Sequence, residues 1–209
     1  MINTAKFILL ILFPLVSINT TGQSILVKGG LSLSNITGNN EVMSFDDFYK
    51  IKSGVHLGIS YEQEISDIVF LEIGSMLSMK GAIIDFGNSA TAIKFNTVYI
   101  DVPILIKEYL EINDAISIYG GVGPYFGFGL VGSLKDDDGN KVDDVIWGES
   151  ESTIRRFDFG LSVGAGIDFK GIQLGLVYDW GLFNISSNEG DRIRNNVFRI
   201  TAGYRLAGS

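Results

Sequence analysis

The side chains of this sequence best suited to chemistry are charges set at alternate positions of apolar segments. Lys28, Lys80, Lys107, Arg156, Lys170, Arg199 and Arg205 occupy such positions, and so do Glu62, Glu72, Asp101, Asp158, Asp168 and Asp179. Seven bases against six acids are nearly neutral. Charges enclosed together need partners, so the pattern predicts a ladder of ion pairs filling an interior. A relay that passes a proton or an ion along the same groups is the sharper alternative.

His56 is the only histidine. A barrel-borne acyltransferase or protease wants a histidine beside a serine or acid near the rim. His56 has the right height in its segment but no local signature, which leaves it a solvated or interior histidine and predicts no enzyme. A second concentration of charge is the run KDDDGNKVDD, residues 135–144. Asp136, Asp138, Asn140 and Asp143 are candidates for holding calcium. An EF-hand alignment fails, because Lys141 or Val142 falls where ligands belong. The competing reading is a turn with a solvated acidic tip.

That run lies in the longest connector, residues 132–155, where seven acids face three bases. A net −4 favours cationic partners or a divalent ion. Asp137, Asp144 and Trp147 are the contact candidates. Trp147 follows Val145 and Ile146, and an apolar cluster with a tryptophan is a natural contact point. The alternative is that Trp147 folds back on the rim of the domain.

Strands must position these groups. Eight two-faced segments alternate with period two: 25–35, 55–64, 69–80, 98–109, 116–131, 156–169, 172–183 and 197–206. Several pass ten residues, the length a tilted strand needs to cross a bilayer. Their connectors alternate between long (36–54, 81–97 and 132–155) and short (65–68, 110–115 and 170–171), with 184–196 intermediate. An up-and-down meander with every long connector at one end is the layout of an eight-stranded antiparallel transmembrane β-barrel.

Periodicity alone does not say which face points outward. A soluble lipocalin-like barrel carrying a small apolar ligand would put the apolar face inside. The polar face decides, because it is crowded with glycines such as Gly121, Gly127, Gly160, Gly164, Gly166 and Gly175. Glycine weakens a solvated strand face, but in a narrow lumen it makes room for large neighbours. The bulky apolar face would also overfill so small an interior. The lumen is therefore expected to be polar and plugged by side chains rather than open.

Bulk composition agrees. There are 209 residues, room for one domain, no cysteine, and a net charge of −8 that argues against nucleic acid. Lys6 precedes an apolar run over residues 7–16, and Thr20 and Gly22 fit a secretory cleavage site. Residues 1–22 are thus expected to be a cleaved signal peptide, leaving 23–209 as a single barrel domain with 24 acids against 15 bases.

The runs YIDVPILIKEYL and GGVGPYFGFGL, with KGGLSLSNITG, LSMKGA, VYDWGLFNI and VFRITAGYRL, resemble in order and spacing the outer-membrane β-barrel domain family often labelled "porin family" or PorT-like. The resemblance covers nearly all of the chain beyond the signal peptide. It implies a place in the outer membrane among its lipids; no cofactor is expected. PorT-like relatives are linked to protein export, so it also implies an accessory role there. Partners would be extracellular or secretion-machinery proteins.

Overall fold

The computed structural model describes residues 22–39, 49–85, 92–150 and 153–208. The segment read as a signal peptide lies, up to residue 21, outside them. Ten strands follow in order: β1 (Gln23–Asn39), β2 (Tyr49–Lys50), β3 (Lys52–Ser66), β4 (Val69–Ile84), β5 (Ile93–Asn113), β6 (Ile116–Lys135), β7 (Lys141–Asp144), β8 (Phe157–Phe169), β9 (Ile172–Gly181) and β10 (Arg192–Gly208).

Eight of them close a ring in the order β1, β3, β4, β5, β6, β8, β9, β10 and back to β1, every pairing antiparallel. The first and last strands zip together from Ser24↔Gly208 to Asn39↔Arg192. Closure leaves no strand edge unpaired in the ring, as hydrocarbon requires. At one end each hairpin turns on two residues, at 67–68, 114–115 and 170–171. Lys170 (φ 51°) and Gly171 (φ 86°) both adopt the left-handed conformation, the form that matches strand twist in a two-residue hairpin.

The alternation holds with the apolar face outward. Leu57, Leu174 and Trp180 are 63%, 52% and 54% exposed, whereas Glu62, Asp101 and Arg199 on the opposite face are 0%, 0% and 2% exposed. An apolar exterior around a charged interior is a barrel made for lipid. It excludes the lipocalin-like carrier, whose ligand would need an apolar cavity.

The strands run further than the period-two segments. β1 continues to Asn39, β4 to Ile84 and β6 to Lys135, while β5 begins at Ile93 and β10 at Arg192. Much of what reads as long connector in the sequence is therefore sheet. The cause is a reversal of the two faces. Beyond the bilayer Ile36, Ala82, Phe95 and Val145 point inward and are buried, with Leu134, Trp147, Ile154 and Ile193 packed on them. Asn35, Thr37, Lys94 and Arg194 lie on the outward positions there. The upper barrel is thus an ordinary water-facing sheet with an apolar core, stacked on an inverted one.

β2 pairs with the top of β4, and β7 pairs with the top of β6. Where β8 and β9 stop short, bridges Trp147↔Ile154 and Ile154↔Ser186 carry the wall across.

Candidate functional site

The inward face of the membrane-level barrel holds two clusters of charge. In the cluster nearer the long loops, Lys80 (β4) lies 2.8 Å from Asp101 (β5) and 3.0 Å from Asp158 (β8). Arg199 (β10) bridges Asp101 at 2.9 Å and Asp179 (β9) at 2.6 Å. Asp158 also accepts from the Asn195 amide at 3.1 Å and from the Tyr125 hydroxyl at 3.4 Å. Ser162 donates to Asp179. The ammonium of Lys80 lies 4.7 Å and 4.8 Å from the ring centres of Tyr99 and Tyr125, a cation–π cradle.

In the cluster nearer the two-residue turns, Lys107 reaches Glu62 at 2.5 Å and Glu72 at 3.0 Å, and Lys28 reaches Glu72 at 2.5 Å. Arg205 pairs with Glu62 at 3.3 Å and Asp168 at 3.1 Å. Tyr109 donates to Glu62, and Gln173 donates to both Tyr109 and Asp168. Tyr119 lies under Lys107, ring centre 4.2 Å from Nζ.

Eleven of the thirteen charges singled out from the sequence thus meet in the lumen. Two do not. Arg156 sits at the rim, donating to the carbonyls of Gly129 and Leu130 with its guanidinium 5.1 Å from the Trp147 ring. Lys170 lies in the β8–β9 turn, exposed, 5.9 Å from the Phe169 ring centre. Both stand at strand ends, where alternation no longer assigns a side chain to the lumen. The tyrosines, Ser162, Gln173 and Asn195 that complete the clusters were not singled out, although their inward positions in the alternation were available.

The lumen glycines leave space for these rings. A Cβ on Gly166 or Gly175 would stand 2.5 Å or 2.4 Å from the Tyr119 hydroxyl. His56 is buried on the lumen face, Nδ1 3.1 Å from Ser32 Oγ and Nε2 3.0 Å from Thr201 Oγ1.

Above the upper cluster, Trp147 turns inward over Gly129 and meets Tyr99 edge to face at 5.9 Å. Its ring is half-buried in the mouth of the barrel, while its neighbour Ile146 is 64% exposed. A Cβ on Gly129 would lie 2.4 Å from the Trp147 ring. Gly129→Val is therefore expected to expel Trp147 into water, read as a red shift of its fluorescence with Trp180 replaced by Phe.

The acidic run forms the β6–β7 hairpin. Asp136 accepts from the side chain and backbone N–H of Asn140, and these bonds hold its carboxyl below the ordinary value. Asp137 accepts from the backbone N–H of Ala92, Asp143 from that of Asp144, and Asp144 pairs with Lys141 at 2.7 Å. Of the calcium candidates Asp136, Asp138, Asn140 and Asp143, the first and third bond each other. Among the described residues no three His, Cys, Asp or Glu side chains are placed to hold a metal ion.

Residues 22–187 match the family model described as outer membrane protein beta-barrel domain. Solved structures similar to the chain include OprG from Pseudomonas aeruginosa, at 13% identity and TM-score 0.49, covering 90% of this chain and 97% of that one. Ail, the attachment invasion locus protein of Yersinia pestis, is 18% identical with TM-score 0.41, covering 90% of this chain and all of its own. Neisserial surface protein A is 13% identical with TM-score 0.45, covering 88% and 97%. No curated protein matches the chain.

Proposed function

The chain belongs to the outer membrane protein beta-barrel domain family, and from that premise we propose that it is a closed, non-conducting barrel that acts by binding a partner at its external face. Its place is the outer membrane. The observation that carries the proposal is the pair of stacked ion-pair clusters, which draw side chains from β1, β3, β4, β5, β8, β9 and β10 across the same lumen. An ion crossing there would have to break buried pairs, each costly to leave half-made. The apolar cluster at the mouth adds a dry barrier above them. Purified protein in planar bilayers is expected to give no steady conductance at neutral pH. Stable ion-selective steps would overturn the closed-lumen reading and favour the relay along the same charges.

The binding face is the acidic β6–β7 hairpin. Asp138, Asp143 and Asp144 are exposed there, and Val142 and Ile146 are 61% and 64% exposed, an apolar contact beside a negative field. A cationic extracellular or secretion-machinery protein fits that chemistry. Trypsin added to intact cells is expected to cut at Lys141 and spare Lys170 in its two-residue turn. Cleavage at Lys170 alone would reverse the topology.

A narrower form of the reading is an accessory role in protein export, which the likeness to PorT-like barrels suggests. Unchanged secretion after deletion of the gene would remove it. We also propose that the mature chain begins at Gln23, which N-terminal sequencing of the membrane-inserted protein tests. No catalysis is assigned: His56 meets Ser32 and Thr201, but it is 3% exposed and no carboxylate among the described residues bonds its ring.

A further inference from the structure

Among the described residues, the outward face of the membrane-level strands carries one charge. Glu108 of β5 points outward between Ile106 and Leu110, themselves 48% and 50% exposed. Its carboxylate is exposed and has no hydrogen-bond or ion-pair partner among the described residues. A carboxylate set in an apolar band is costly unless a cation meets it.

Two observations say what that cation belongs to. Glu108 pairs in register with Val69, the first residue of β4, beside the turn at 67–68. That places it in the half of the band on the side of the two-residue turns, with Leu110 and Ile112 between it and the turn at 114–115. On its other side it pairs with Gly120, and Gly120 pairs with Ala165. These small residues floor a furrow on the outer wall, bordered by Ile118 and Ile167, of about 1190 Å³. That is the scale of an amphiphile, not of a small ion.

We infer that Glu108 and this furrow form a binding site for a phospholipid with a primary-amine headgroup. The ammonium donates to the carboxylate and an acyl chain lies along the Gly120–Ala165 floor. A second copy of the chain offers no such cation, since among the described residues Glu108 is the one charge on its outward band. The carboxylate wants an N–H donor as well as a positive charge. A quaternary headgroup supplies only the charge.

The test uses the full chain in nanodiscs with equal amounts of phosphatidylethanolamine, phosphatidylcholine and phosphatidylglycerol of identical acyl composition. Native mass spectrometry counts the lipids retained. The ethanolamine lipid is expected to be retained over the choline lipid by about fivefold, the scale of one modest ion pair. E108Q is expected to equalise the two. G120L, which fills the furrow and keeps the carboxylate, is expected to lower retention of all three lipids. Equal retention by the unmodified chain would overturn the site, and so would a preference that survives E108Q. A second copy retained in place of lipid, and lost in E108Q, would overturn the choice of occupant.

Discussion

Arg199→Met is expected to destabilise the barrel by about 3–5 kcal/mol, measured as the shift in guanidinium unfolding from vesicles. Arg199 is 2% exposed and bridges Asp101 and Asp179, both fully buried. Removing it leaves Asp101, Asp158 and Asp179 around the single ammonium of Lys80. The cost comes from stranded charge and not from lost packing, because methionine fills much of the same space. Arg199→Met combined with Asp179→Asn should therefore recover a large part of the loss, and the two changes should be strongly non-additive. A single-variant cost below about 1 kcal/mol would mean that water reaches these groups and screens them.

The second large effect lies on the opposite face. Leu176→Arg or Ile104→Arg is expected to cost about 2–4 kcal/mol, the value for a cation near the midplane of a bilayer. Leu176 is 52% exposed, all of it toward lipid. Gly164→Arg tests the same strand pairing from inside, since a Cβ there already meets the Val177 side chain at 2.9 Å. It should fail by overcrowding, in detergent and bilayer alike. If Leu176→Arg folds as well as the unmodified chain and stays soluble without lipid, the outward placement of the apolar face is wrong.

How much of this was legible in the sequence depended on whether one pattern stayed constant. At membrane level it did: Val98 to Ile106 and Ile116 to Leu130 alternate, Gly120 and Pro124 alone breaking the bulky face, so the strands and their faces could be read directly. Above the bilayer the code reverses. Ile36 and Phe95 are buried inward while Lys94 and Asn35 lie outward, so a search for the same polarity stops at the water line. Which acid meets which base was not legible either. Arg199 finds Asp101 because the ring brings β10 opposite β5, and that follows from closure and register rather than from sequence spacing. Trp147 was open to two readings. Its inward turn depends on the hole above Gly129, a contact between segments that no local pattern encodes.

The wall of this barrel is uneven in height. β5 and β6 are 21 and 20 residues long, whereas β8 and β9 are 13 and 10. At about 3.3 Å per residue and a tilt near 40°, ten residues barely clear the hydrocarbon, while the tall hairpin has roughly 25 Å to spare between its two ends. The strand wall is therefore a slope with a parapet on one side, its low stretch continued only by the bridges at Trp147, Ile154 and Ser186. A body arriving from outside touches the β5–β6 crest long before the low side, and it arrives tilted. Large neighbours in the same membrane can crowd the β8–β9 flank and still leave that crest in clear line of approach.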